Sequence, residues 1–403
     1  MKRAIILVID GLGVGSMMDV NKNRSQDIGA HTLHSIVGQD LSVYPNITSL
    51  GFFNLLNNHK PIRKNLQLST GIAMLGYPGA DSYLGHKELI GLPVNIEQVY
   101  LSEKKQIIER MLFKNKLKFK WIHSDLLCVE KNIFVGNNVE ADLGNNINIY
   151  GNLDTYSFDE ILKIGKLFRQ FLHCSRVIVH GVNPSLDSRS IRKGFVKRIH
   201  PSTGKVVYGI SSGLLKVHNG KQSVIHMGFQ DESRDNLIDY CKDANIPISL
   251  IGKTADLFSN KLTEYKKNKS INVVHTVKLL PLFKNLLVSQ KTGLLFVNIQ
   301  EIDLSGHNKD VKTARKVLQM FDRFIPFLLS LLKPTDLLVI TADHGNDPLI
   351  GHDMHTREYV PVIMIGKDIP KRSIGVRNSL TDISATVLKY LNISRLSRGK
   401  AFI

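Results

Sequence analysis

Apolar residues along this chain fall into two patterns. Continuous runs of strand length occur at residues 3–9 (Arg3-Ala4-Ile5-Ile6-Leu7-Val8-Ile9), 247–251, 294–299 and 337–340. Runs without polar alternation fit strands covered on both faces, as in a parallel sheet. Elsewhere apolar positions recur at helical spacing. Val311, Ala314, Leu318, Phe321, Ile325 and Leu328 form one such stripe, predicting a helix over 309–332 with Pro326 placed to kink it. Helices are also predicted over 235–244 and 158–172. Strands alternating with helices predict an α/β fold, with a doubly wound, mostly parallel sheet as its core.

The middle of the chain reads differently. Asn-rich stretches such as 135–152 interrupt short strand-like runs, and Lys alternates with apolar residues over Lys114–Trp121 like a half-buried strand. The chain is therefore divided into a core of residues 1–97 and 229–403 and a smaller inserted α+β cap of residues 98–228. A length of 403 residues accommodates one large domain or two.

Composition narrows the function classes. The net charge of +18 favours anionic ligands. Lys and Arg are spread along the chain and not gathered beside stacking aromatics, so nucleic acid is not an expected partner. No apolar run reaches the length of a membrane-spanning helix, and residues 1–10 read as a first strand and not as a signal peptide. Cys128, Cys174 and Cys241 are widely spaced and odd in number, which points to a reducing, cytoplasmic setting.

Candidate chemistry sits where the apolar runs end. The first is followed by Asp10-Gly11, the run at 294–299 by Asp303 and His307 on a loop leading into a helix, and the run at 337–340 by Asp343-His344, with His352 and His355 beyond. Open α/β sheets bind ligands at the carboxyl ends of their strands. Carboxylate and imidazole together suit divalent transition metals. Ser82, in Asp81-Ser82-Tyr83-Leu84-Gly85-His86, stands where a helix could begin and an anion be favoured. His31 and His34 are read as supporting residues. Taken together, these strand-end groups describe a two-metal site with a hydroxyl nucleophile, suited to phosphoryl transfer. The basic run Arg189–Arg198 is a candidate phosphate contact through Arg189 and Arg192.

The motifs Thr341-Ala342-Asp343-His344-Gly345-Asn346-Asp347-Pro348, His355-Thr356-Arg357-Glu358-Tyr359-Val360-Pro361, Gly252-Lys253-Thr254-Ala255-Asp256-Leu257-Phe258 and Asp81–Glu88 resemble the metal-dependent alkaline phosphatase superfamily, and within it the phosphopentomutases. The resemblance covers roughly residues 1–95 and 235–403. It implies one ion held by Asp303, His307 and His355 and a second held by Asp10, Asp343 and His344, with the nucleophile Ser82 between them. Mn is the implied metal, with Zn or Mg as alternatives. Lys253 joins the candidate substrate contacts. The implied activity is interconversion of the 1- and 5-phosphates of ribose or deoxyribose through a phosphorylated Ser82. The implied partner is a small sugar phosphate, and oligomeric state is left open. A phosphatase or phosphotransferase using the same metals is the alternative. The sequence departs from the phosphopentomutase pattern in two ways that resemble cofactor-independent phosphoglycerate mutase: Ser82 replaces the usual Thr, and the Asp303–His307 interval is one residue shorter. The region near Phe158–Arg169 has no clear counterpart of the family's cap segment.

Overall fold

The computed structural model describes residues 2–55, 68–92, 94, 96–140, 142–182, 188–200, 203–215, 223–229, 233–367, 369–395 and 398–403. The chain divides into two compact units, one of Met1–Val94 with Ser233–Ile403 and one of Asn95–Glu232.

The first unit is built on an eight-stranded sheet. From edge to edge its order is Asn268–Ile271, Ile248–Ile251, Gly293–Ile299, Arg3–Ile9, Asp336–Thr341, Val360–Ile365, Leu68–Ala73 and Ser373–Arg377. The first five run parallel, and Val360–Ile365 is antiparallel to both of its neighbours. Every residue of Arg3–Ile9, Gly293–Ile299 and Asp336–Thr341 is buried, as continuous apolar runs require of central strands. Helix Val311–Ser330 buries Ala314, Leu318, Phe321, Ile325 and Leu328, the predicted stripe, while Val311 is only half-buried.

Arg3 and Asp336 face each other in register at the starts of two central strands. Both are fully buried and ion-paired, and the Arg3 guanidinium also donates to the Leu287 and Gln290 carbonyls at 2.6 Å. This pair ties helix Thr276–Ser289 to the sheet floor.

The second unit carries its own sheet, ordered Ser223–Gly228, Arg176–Val182, Asn146–Asn152, Ile133–Asn138, Leu126–Val129 and Phe119–His123, with Val206–Ile210 paired to Ile133–Asn138 and Phe195–Ile199 paired to Val206–Ile210. Helices Lys105–Lys114 and Phe158–Phe171 cover one face, packing Ile108, Leu112, Ile161 and Phe168 against Val135, Ile147 and Val179. Helix Phe158–Phe171 begins with a capping box, Ser157 and Glu160 satisfying each other's backbone N–H.

Two expectations are corrected here. Most of the Asn-rich stretch lies within strands, with only residues 139–145 connecting Ile133–Asn138 to Asn146–Asn152: Asn146, Asn148 and Asn152 are buried in the second of them. The Asn148 amide is tolerated because it finds partners across the sheet, accepting from Asn138 at 3.3 Å and donating to the Ile210 carbonyl at 3.2 Å. The Lys114–Trp121 stretch is not one strand either. Its first residue ends a helix, Lys116 takes a positive φ of 56°, and the strand begins at Phe119. Among the described residues, no helix is long and apolar enough to cross a membrane.

Candidate metal centre

Three adjacent parallel strands bring the candidate ligands together. Asp10 follows Arg3–Ile9, Asp303 and His307 follow Gly293–Ile299, and Asp343 and His344 follow Asp336–Thr341. Parallel neighbours in register place their carboxyl ends side by side. Gly11, at φ 77°, turns the chain at this rim, where a Cβ would lie 3.1 Å from the Asp303 backbone.

Asp303 and His307 do not lie on a loop as expected. They belong to a short helix, Glu301–His307, where an i, i+4 spacing places both on one face. Ser82 is the first residue of helix Ser82–Leu89, and the Asp81 side chain caps that helix by accepting from Leu84 N–H at 3.0 Å. The helix approaches the sheet at Gly85, where an added Cβ would meet the Asp343 carbonyl oxygen at 2.4 Å.

The result is a buried cluster. Ser82 Oγ donates to Asp343 Oδ2 at 2.6 Å and lies 3.3 Å from Asp10 Oδ1. His344 Nε2 is 3.2 Å from Asp343, 3.5 Å from Asp10 and 4.0 Å from Asp303. His355 Nε2 is 3.3 Å and His307 Nε2 3.6 Å from Asp303 Oδ1. Lys253 Nζ lies 2.8 Å from Asp10 Oδ2 and 3.4 Å from Asp303 Oδ2. Gly11 N–H and Asn346 Nδ2 donate to Asp343 Oδ1 and Asp303 Oδ1, at 3.2 and 2.9 Å.

The three imidazoles share one arrangement. Nδ1 of His344, His355 and His307 each faces a backbone carbonyl, of Gly345 at 2.9 Å, Ala80 at 3.0 Å and Asp353 at 2.7 Å. A carbonyl only accepts, so Nδ1 carries a proton and Nε2 is the nitrogen turned to the cluster. The Nε2 atoms of His355 and His307 meet at 3.0 Å, and His344 Nε2 is buried with no hydrogen-bond partner among the described residues. Imidazole nitrogens and carboxylates converging from several strand ends are what a cation between them would hold, and Nδ1–H on a backbone carbonyl is the usual orienting contact of a metal-bound His. The donor set therefore fits divalent ions. Two groups of side chains converge closely enough to hold an ion: Asp303, His344 and His355, and Asp10, His86 and Asp343. His86 is a poor ligand, because both ring nitrogens are already engaged, Nδ1 with the Ser82 carbonyl and Nε2 with Asn298, each at 2.8 Å.

The electrostatics reflect this crowding. Burial and the Asp343 charge push Asp10 above the ordinary carboxylate range, against the opposing pull of Lys253. Burial acts the same way on Asp303 and Asp343, but Lys253 with the His307 charge overcomes it at Asp303, and His344 with His86 at Asp343, so both are held well below that range. Burial, reinforced by His344, lowers His355 to about 4, keeping its ring neutral and its lone pair available.

Two further sequence candidates of the first unit, His352 and His31, lie outside this cluster. His352 pairs with Asp27 at 3.0 Å, an acid that also binds Arg24. His31 caps helix Thr32–Val37 by accepting from His34 N–H. Arg192, in the second unit, is exposed and lies over the Phe134 ring at 5.4 Å. The side chain of Arg189 lies outside the described residues. Sequence reasoning missed His86 and Asn298. Their pairing spans 212 positions, and the only local sign was the spacing of His86 four residues after Ser82.

Known proteins resemble this chain along nearly its whole length. The phosphopentomutase of Alkaliphilus metalliredigens is 27% identical over 99% of this chain and 98% of its own length. That of Symbiobacterium thermophilum is 29% identical over 100% of this chain and 98% of its own length. A structure of Leishmania mexicana phosphoglycerate mutase at low cobalt concentration aligns over 99% of this chain and 97% of that one, at 12% identity and a TM-score of 0.49. A family model described as the Metalloenzyme superfamily matches residues 2–395, and this chain belongs to that superfamily.

Proposed function

We propose that this protein is an isomerase, a phosphopentomutase-like phosphomutase that moves a phosphoryl group between positions 1 and 5 of ribose, deoxyribose or a related sugar. Ser82 carries the group, and Asp10, Asp303, His307, Asp343, His344 and His355 hold two divalent ions, Mn foremost. The observation that carries this reading is the Ser82 hydroxyl, buried and 2.6 Å from Asp343 and 3.3 Å from Asp10, at the point where the strand ends meet. The relatives named phosphopentomutase, matched along their whole length, support the choice of reaction. Three free cysteines are consistent with a cytoplasmic setting.

When bound, the ions would lower the pKa of the serine hydroxyl and neutralise charge on the transferring phosphoryl oxygens. His307 and His355 would complete the Asp303 side of the pair, and Asp10, Asp343 and His344 the other. Asp343 orients the Ser82 hydroxyl by accepting its proton in a hydrogen bond. A phosphoryl group on Ser82 sits at the first turn of helix Ser82–Leu89, whose partial positive end favours it. Lys253, held between Asp10 and Asp303, adds a fixed cation beside the same carboxylates. The phosphoryl group passes from Ser82 to the free hydroxyl of the sugar phosphate, giving a bisphosphate, and Ser82 takes back the phosphoryl group from the other carbon. Residues 1–97 and 229–403 act as the catalytic core and residues 98–228 as an inserted cap domain.

Incubation with Mn and ribose 1-phosphate, following both ribose 5-phosphate and inorganic phosphate, tests the proposal. Isomer without stoichiometric phosphate is expected, as is loss of turnover in Ser82→Ala. Phosphate release without isomer would make the protein a phosphatase and overturn it.

A further inference from the structure

His86 is fully buried, stacks on Phe296 with ring centroids 6.4 Å apart, and is not needed as a metal ligand or nucleophile in the scheme above. Its hydrogen-bond partners decide which ring nitrogen carries the proton. Asp10 Oδ2 accepts from the Lys253 ammonium at 2.8 Å, and the Asn298 side chain contacts the same oxygen at 2.9 Å. An acceptor oxygen demands a donor, so the Asn298 atom is its NH2. The reversed amide would aim a carbonyl oxygen at a carboxylate. An NH2 has two hydrogens, and the second points at His86 Nε2, 2.8 Å away. His86 Nε2 therefore accepts, and the ring proton sits on Nδ1. That proton faces the Ser82 carbonyl at 2.8 Å and Asp343 Oδ2 at 3.1 Å. Asp343 Oδ2 is the oxygen that receives the Ser82 hydroxyl.

Asp10, Asn298, His86 and Asp343 thus form one continuous strut, with directed hydrogen bonds from the carboxylate of one strand end to the carboxylate of another. We infer that Asn298 and His86 are positioning residues. They set the orientation of Asp10 and Asp343 for the ions, and hold Asp343 Oδ2 and the backbone of Ser82 in register for phosphoryl transfer. The inference rests on the proposed phosphomutase reading. The direction of the strut matters more than its bulk. Nδ1–H is the working end, reaching the nucleophile's own carbonyl and its acceptor, and Asn298 acts by keeping the proton there.

The two ends of the ring can be separated by substitution. His86→Asn keeps an amide near the Nδ1 position, whereas His86→Gln keeps one near Nε2 and loses the other. At saturating Mn, His86→Gln and Asn298→Ala are expected to lower kcat by roughly 10²-fold, the cost of about 1 Å of misplacement, with KM for the sugar phosphate within about 3-fold. His86→Asn is expected to recover most of that loss. Independently of turnover, calorimetric titration with Mn is expected to show affinity about 10–100-fold weaker in His86→Gln than in His86→Asn. Equal behaviour of the two His86 variants, in either readout, would overturn the inference, as would wild-type kcat and Mn affinity in Asn298→Ala. The wild-type protein and Ser82→Ala, run alongside, keep the two readings apart. If the wild type binds Mn and turns over through Ser82 while the His86 variants match each other, only the strut fails. If Ser82→Ala is as active as wild type, the phosphomutase reading itself fails.

Discussion

Gly85→Ala sets two physical effects of opposite sign against each other. Gly85 lies inside helix Ser82–Leu89, between the proposed nucleophile and His86. Helix propensity alone favours Ala over Gly by about 1 kcal/mol. The structure opposes it. The new Cβ would lie 2.4 Å from the Asp343 carbonyl oxygen, 2.9 Å from its Cβ and 3.0 Å from its carbonyl carbon. Ordinary carbon contacts sit near ~3.5–4.0 Å, so the helix and the strand end must separate by about 1 Å. These are backbone atoms and a short side chain, with no flexible end to swing away. Overpacking of this kind costs about 1–3 kcal/mol, and sterics win. The same separation stretches the 2.6 Å contact between Ser82 and Asp343. A displacement of about 1 Å at reacting groups costs roughly 10²-fold in rate. Urea unfolding and the ribose 1-phosphate assay on one preparation read both quantities. A Gly85→Ala protein as stable as wild type or more so, or with undiminished turnover, would refute the idea that helix contact sets the nucleophile's position.

Other expectations test the sheet floor, the buried acids and the metals. Asp336→Ala leaves the Arg3 guanidinium buried without its partner, and is expected to cost about 3–5 kcal/mol in denaturant unfolding with little effect on the metal centre. Glu88 is buried and accepts from Gly76 N–H at 2.9 Å and from Ser379 Oγ, and burial raises its pKa from 4.5 to about 7. A raised folded-state pKa contributes stability at pH below the unfolded value, and that stability is lost as pH climbs through about 7. Glu88→Gln is therefore expected to shrink the fall in stability between about pH 5 and 8 by as much as ~3 kcal/mol, and an unchanged pH dependence would reject the assignment. Removing divalent ions with a chelator is expected to lower the melting temperature, because ligand at about 100 times its Kd stabilises by about 2.7 kcal/mol. Readdition of Mn restores it if the cluster is a metal centre.

Much of the central sheet was legible because its strands are uninterrupted apolar runs, and a carboxylate directly after such a run has only the sheet rim to occupy. Asp10 and Asp343 were readable on that ground as strand-end groups, and Ser82 as a residue where a helix could begin. What sequence patterning could not supply was set by distant partners. The strand Asn146–Asn152 looks polar, and its Asn148 amide is satisfied by other segments of the sheet, Asn138 and the Ile210 carbonyl. Glu301–His307 is a single short helix, too brief for an apolar periodicity to declare itself. The choice between His352 and His355 was not resolved by spacing and rested on the motif His355-Thr356-Arg357-Glu358. In the structure Asp27, 325 positions from His352, engages that ring. The pairing of His86 with Asn298 was not legible, because 212 positions separate them and only the fold makes them adjacent.

The central claim is that carboxylates and imidazoles from three strand ends hold a pair of divalent ions against the Ser82 hydroxyl. Crystals grown with Mn, with data collected at its absorption edge, address it directly. The account predicts two anomalous peaks about 4 Å apart, one against Asp303, His307 and His355 and one against Asp10, Asp343 and His344, with Ser82 Oγ facing both. A single peak, or peaks away from Asp10, Asp303 and Asp343, would contradict it.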